Sequence, residues 1–261
     1  MEKKFRARLS SANRYCRLCA LGRNRKDLKM QSAVFGQSAK PFSEVLLAIV
    51  SAYPGFYEVM QNESLAGIPD HERGFKDVNK SKYNAGTYLR LVLHSIIDRD
   101  PKWPSSLKPF EQFVFFTNAL KCPTSVNKES IPFKNSDIFT CSQNWLIPEL
   151  EALQSEVPLL LAASQALTAL LPKVEGGVYA NRNRELFWRH HPVVVTFNPI
   201  EAERSHLRYP ASFDLTKDDV KIPDRLELSK AFPGTLPWHF ANDIKRIKNL
   251  VWNYAKSTGR V

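Results

Sequence analysis

Val45-Leu46-Leu47-Ala48-Ile49-Val50 is an unbroken apolar run that stops at Ser51-Ala52-Tyr53-Pro54-Gly55. It does not alternate polar with apolar residues and is too short for a buried helix, so it reads as a strand covered on both faces. Three more stretches have the same character: Phe113 to Thr117, Val157 to Ala162 and Val193 to Phe197. Helical patterns lie between them. Tyr88, Leu91, Val92, Ser95 and Ile96 recur at helical spacing after the first run, and Leu146 to Leu153 and Ala166 to Leu171 flank the third. Strands that alternate with helices predict a parallel sheet, because parallel neighbours need a crossover between them. The expected fold is therefore α/β, a three-layer α/β/α sandwich around a central four-stranded parallel sheet. Near the end, Phe240, Ile244, Ile247, Val251 and Tyr254 form one stripe of an amphipathic helix, with Lys245, Arg246 and Lys248 off it.

Open parallel sheets bind ligands beyond the carboxyl ends of their strands. That rule selects four loops: Ser51 to Glu58, Asn118 to Pro123, Ala163-Ser164 and Asn198-Pro199-Ile200. Pro and Gly frame several of them, which lets backbone approach a ligand closely.

At 261 residues, with 43% hydrophobic and 24% charged, the chain can bury a sizeable core. It is read as one domain with a basic N-terminal segment over 1–40, an α/β core over 41–205 and a C-terminal extension and helix over 206–261. No run approaches the roughly 18 apolar residues of a membrane span, and Met1 to Arg6 lacks the apolar stretch of a signal peptide. A cytoplasmic monomer with no membrane partner is expected. Lys and Arg number 37 against 26 Asp and Glu, a net charge of +11. Such an excess attracts polyanions, nucleic acid first among them, through release of condensed counterions. Arg6, Arg8, Arg14, Arg17, Arg23, Arg25, Lys26 and Lys29 crowd one short segment.

That segment also holds Cys16 and Cys19, a Cys-x-x-Cys; the other cysteines of the chain are Cys122 and Cys141. Cytosolic thiols stay reduced, which disfavours disulfides. Adjacent thiolates can share one metal or cluster, and two distant cysteines can complete it once the chain folds. His190, His191 and His206 have no metal spacing with these ligands and are expected at the surface or on phosphate.

Phe116-Thr117-Asn118-Ala119-Leu120-Lys121-Cys122-Pro123, followed by Cys141 and then Val157-Pro158-Leu159-Leu160-Leu161, resembles the uracil-DNA glycosylase superfamily, specifically its iron-sulfur branch, family four. Cys16-Arg17-Leu18-Cys19 with Arg23 and Arg25 is similar to that branch's opening Cys-x-x-Cys and basic residues. Thr196-Phe197-Asn198-Pro199 with Arg204 resembles its Thr-Tyr-His-Pro and trailing Arg, and Asn84-Ala85-Gly86 its Ala-Gly before a helix. The resemblance implies a [4Fe-4S] cluster on Cys16, Cys19, Cys122 and Cys141, with zinc the alternative. It also implies a DNA partner, flipping of a base into the loop pocket, and cleavage of its N-glycosidic bond. Asn118 would read the base edge and Asn198 would stabilise the departing base. Ser51, Ala52, Tyr53, Gly55, Phe56 and Tyr83 would line the pocket. Arg23, Arg25, Lys121, Ser164 and Arg204 would meet the DNA.

The departures matter as much. Family four begins its first motif Gly-Glu-Ala-Pro-Gly, whereas this chain reads Ser51-Ala52-Tyr53-Pro54-Gly55 and lacks the leading carboxylate. Glu58 is the acidic residue left to act in catalysis. The family's Pro-Phe-x-Gly signature is replaced by a longer loop with Asp70, His71, Glu72, Arg73, Phe75 and Asp77. A rebuilt reader loop implies a changed base. The resulting expectation is a glycosylase for a bulky or non-uracil base, such as glucosylated hydroxymethylcytosine of phage DNA, in a bacterial or phage-related host. Uracil repair, or a non-catalytic or crosslinking DNA-binding protein of the same fold, are the alternatives.

Overall fold

The computed structural model of the chain describes residues 16–24, 36, 38–53, 85–122, 124–126, 129–199, 201–202 and 236–261. Its centre is a sheet of five strands: β1 (Leu47–Ser51), β2 (Val114–Asn118), β5 (Leu159–Ala162), β6 (Leu186–Trp188) and β7 (His191–Thr196), in the order β2-β1-β5-β7-β6. A two-stranded ribbon, β3 (Ser125–Val126) with β4 (Glu129–Ser130), stands apart. The pairs β1 with β2, β1 with β5, and β5 with β7 are all parallel. The four apolar runs thus form the parallel part of the sheet. Ala48, Ile49 and Val50 of β1 and Leu159, Leu160 and Leu161 of β5 are fully buried, as strands covered on both faces must be. Each such Leu, Ile or Val side chain contributes about 1.5–3 kcal/mol through its burial.

The fifth strand corrects the expectation of four. β6 pairs antiparallel with β7, with Trp188 opposite His191, across a two-residue turn at Arg189 and His190. Arg189 adopts a φ of 54° there. The turn has no glycine or asparagine, which is why the hairpin leaves no mark in the sequence.

Two sets of helices flank the sheet. The first contains α2 (Ala85–Leu93), continued by a wider π turn over His94–Asp98, and α7 (Leu236–Ser257), which packs on β7 and on that turn. The stripe expected on α7 is inside: Phe240, Ile244, Ile247 and Val251 are fully buried and Tyr254 nearly so. The second set contains α3 (Asn135–Cys141), a π turn over Ser142–Leu146, α4 (Ile147–Glu151) and α5 (Ser164–Leu170), which packs on β1, β5 and α3. Pro148 lacks the N–H that would continue an α ladder, and the turn before it is widened accordingly. Two short helices complete the description, α1 (Ala20–Asn24) and α6 (Val178–Asn181).

Candidate functional site

The strand register assembles the loops chosen from the sequence. Ser51 lies opposite Asn118 on one side and Ala162 on the other, and Ala162 lies opposite Thr196. Asn118, Ser51, Ala162 and Thr196 are therefore one row across the carboxyl edge, about 14 Å wide at three strand spacings. Pairing continues one step past the strands: Ala119 N–H donates to the Ser51 carbonyl at 2.8 Å and Leu120 N–H to the Ala52 carbonyl at 3.0 Å. Asn118 is only 2% exposed, Ala52 is buried and Ser51 half-buried. Tyr53 is exposed and meets the Phe133 ring edge-on, with centroids 6.5 Å apart. Ser164 is exposed at the start of α5, directly beyond β5.

Asn198 is half-buried two residues beyond β7, and its carbonyl accepts from the N–H groups of Glu201 at 2.9 Å and Ala202 at 3.3 Å. The chain turns helical at that point, which fixes the Asn backbone. Gly55, Phe56, Glu58, Tyr83, Arg25, Arg204, His206 and the Asp70 to Asp77 loop lie outside the described residues. Arg23 is exposed in the last turn of α1.

Lys121, expected at the DNA surface, is instead enclosed. The side chains of Lys121 and Glu149 are 1% and 2% exposed and form an ion pair at 2.6 Å. The ammonium also donates to Thr117 Oγ1 at 2.6 Å and to the Asn118 carbonyl at 2.8 Å, so all three of its protons are used. Glu149 is equally satisfied: Oε2 accepts from the Thr117 hydroxyl at 2.6 Å, and Oε1 from the Gly36 N–H at 2.9 Å. Gly36 approaches the Phe115 ring so closely that a Cβ there would lie 2.0 Å from it. Lys121 is thus the internal fastener of the loop that carries Asn118.

The same loop leads to the cysteines. Lys121 N–H points at Cys141 Sγ, 3.4 Å away. Cys19, Cys122 and Cys141 are buried, Cys16 is half-buried, and none is in a disulfide. Burial pushes the Cys141 thiol up to about 12, with Cys122 and Cys19 close enough to add to the rise. Burial also raises Cys19, against the N–H groups of Gly22 and Leu21, and both Asp137 and Cys16 lie within electrostatic reach of it. Gly22 is required by close approach, since a Cβ would lie 2.8 Å from the Cys16 carbonyl oxygen. Thiols are the donor type that a thiolate-bound cluster takes. Among the described residues, no three Cys, His, Asp or Glu side chains stand close enough together to form a metal cage.

At the other end of the row lies a second buried pair that left no motif in the sequence. Arg182, after α6, holds Asp243 of α7 through Nε at 2.7 Å and Nη2 at 2.9 Å, and donates from Nη2 to the His239 carbonyl at 2.8 Å. Thr196 Oγ1 donates to Asp243 Oδ2 at 2.8 Å. Burial pushes the Asp243 carboxyl up, while Arg182 and Thr196 draw it down. Above the pair, the rings of Tyr179, Phe197 and His239 touch one another.

His191, expected at the surface or on phosphate, is buried. It stacks on Trp188 and hydrogen-bonds the Val157 carbonyl through Nδ1 at 2.9 Å, and burial lowers its pKa. A carbonyl only accepts, so the proton sits on Nδ1. His190 is exposed.

A scan against protein-family models finds no match, and no curated protein matches the chain. No helix among the described residues is long and apolar enough to cross a membrane.

Proposed function

We propose that the chain is a DNA glycosylase of the uracil-DNA glycosylase-like fold that flips a modified base onto the carboxyl edge of its sheet and hydrolyses the N-glycosidic bond. The favoured substrate is a bulky or non-uracil base, such as glucosylated hydroxymethylcytosine. The observation that carries the reading is the row itself: register aligns Asn118 with Ser51, Ala162 and Thr196, and Asn198 follows two residues on. Of these, Asn118, Ser51 and Asn198 are positions to which the resemblance gives contact with the base.

In this reading water adds to the sugar carbon as its bond to the base breaks, and the electron pair leaves with the base. Asn118 offers a donor and an acceptor to the base edge, and Asn198 donates to the negative charge that develops on the departing base. Neither carries charge of its own, so the sugar-side cation must be met elsewhere, a role for Glu58. The thiols of Cys16, Cys19, Cys122 and Cys141 are the residues that would hold a [4Fe-4S] cluster. Cleavage of this bond moves no net electrons, so the cluster would serve to order the basic N-terminal segment and the Asn118 loop for DNA.

Oligonucleotides carrying uracil, hypoxanthine or glucosylated hydroxymethylcytosine separate the alternatives. Alkali-labile sites on the glucosylated strand are expected. Cleavage of uracil alone would indicate ordinary repair, and tight DNA binding without base release from any substrate would indicate a binding protein.

A further inference from the structure

Tyr179 is 71% exposed, yet it is not a lone surface ring. Its centroid is 5.6 Å from His239, edge-on at 88°, and 6.4 Å from Phe197, with the last two 6.2 Å apart. The Arg182 guanidinium lies over the Phe197 ring, 5.2 Å from its centroid. The platform is rigid because its foundations are: Arg182 is clamped by Asp243 and the His239 carbonyl, and Asp243 by Thr196. Asn181, in the same short helix as Tyr179, donates its amide to the carbonyls of Glu175, Gly176 and Gly177, which closes the turn before the helix. Three elements distant in sequence thus meet to hold one exposed aromatic face.

Its position gives it a ligand. Phe197 is the residue between Thr196, at the end of the row, and Asn198. Successive Cα atoms are about 3.8 Å apart, so the platform begins within one nucleotide step of Asn198. The chain is strongly cationic, at +11. Exposed rings beside a cationic surface stack unpaired bases of single-stranded nucleic acid without regard to sequence.

We propose that Tyr179, backed by Phe197 and His239, is a stacking site for an unpaired nucleobase adjacent to the flipped one. The choice of ligand rests on the glycosylase reading above. It assigns to the protein a preference for locally unpaired DNA.

The test measures affinity of the full-length protein for a fluorescent single-stranded oligo(dT) of about twelve nucleotides, and for a duplex of equal length. Tyr179→Ala should weaken single-strand binding by about tenfold or more while duplex binding changes little, and Tyr179→Phe should bind as the wild type does. A 2-aminopurine placed in the strand should be quenched by the wild type and by Tyr179→Phe but not by Tyr179→Ala. The Tyr179 side chain is exposed, so its truncation opens no cavity in the core, and circular dichroism of each variant checks folding. The inference is overturned if the wild type does not bind the single strand, if Tyr179→Ala binds it equally well, or if both variants lose affinity for both DNAs alike. Base release scored in parallel on the oligonucleotides carrying uracil, hypoxanthine or glucosylated hydroxymethylcytosine keeps the two readings apart: a Tyr179 effect without excision overturns only the glycosylase, and excision without a Tyr179 effect overturns only the platform.

Discussion

Removing the charge of Glu149 should be among the most damaging single changes in the sheet's neighbourhood. At 2.6 Å two unit charges attract by about 6 kcal/mol at an effective dielectric near 20. Desolvating both ions costs several kcal/mol each, so the intact pair contributes little net stability. Breaking it is different. Glu149→Gln keeps the volume but leaves the Lys121 ammonium, 1% exposed, without a counter-charge, at a cost of about 3–5 kcal/mol. For a chain of this size that is a fall in Tm of about 6–20 °C. Lys121→Met should cost less, because the stranded carboxylate keeps the Thr117 hydroxyl and the Gly36 N–H as donors. The double variant Lys121→Met, Glu149→Leu should recover most of the loss, short of about 1–3 kcal/mol for the donors left without an acceptor. Urea unfolding of these proteins and of the single variant Glu149→Leu at neutral pH closes the cycle. If Glu149→Gln falls within about 1 kcal/mol of wild type, or if the double variant loses the sum of the singles, the pair is not the fastener argued here.

Three further outcomes are expected. His191 has a folded-state pKa below its unfolded value near 6.5, so the unfolded chain binds the extra proton and stability falls as pH drops below about 6.5, by at most about 1.4 kcal/mol per pH unit; in His191→Gln, urea midpoints at pH 7.5 and 5.5 should differ less than in the wild type. Gly22→Ala drives a Cβ against the Cys16 carbonyl oxygen at 2.8 Å, and Cys122→Ser removes a thiol; protein purified anaerobically should lose iron and absorbance near roughly 400 nm in both, whereas wild-type protein that is colourless and holds stoichiometric zinc would overturn the iron-sulfur assignment. Asn118→Ala and Asn198→Ala should each abolish base release while leaving nonspecific DNA affinity intact, and unchanged turnover in both would refute the alignment.

The parts of the fold that were legible are those written in apolar pattern. A continuous run such as Val45 to Val50 can only be a strand covered on both faces, and the stripe on α7 can only face inward. Polar residues carry no such signature. Lys121 beside Cys122 reads as a DNA contact because an isolated lysine belongs in water; only the fold brings Glu149, 28 residues away, to neutralise it. His191 was illegible for the same reason, since its partners Trp188 and the Val157 carbonyl become neighbours through a hairpin whose turn lacks every usual turn residue. Asp243 lies on the amphipathic helix α7 with nothing in the local sequence to mark it as buried. Its partner Arg182 is 61 residues away, and no local rule connects them.

The two buried pairs follow one plan. Thr117 is the next-to-last residue of β2, just before Asn118, and its hydroxyl donates to Glu149, which is paired with Lys121. Thr196 ends β7 just before Phe197 and Asn198, and its hydroxyl donates to Asp243, which is paired with Arg182. At each outer end of the parallel row, then, a strand is tied to a distant helix by a threonine and a buried ion pair. Apolar residues of similar volume would come within about 1–3 kcal/mol of the same stability, the shortfall being the donors left without an acceptor. What they would not supply is direction: the Lys121 ammonium fixes the Asn118 carbonyl, and Arg182 fixes the His239 carbonyl beneath the aromatic platform. Under the proposed function Asn118 at one end of the row and Asn198 just beyond the other must both be held in place, which is a reason to keep charge in the core. The apolar double variant tests that reason directly, for it should lose only about 1–3 kcal/mol of stability and yet hold Asn118 too loosely for the proposed base release.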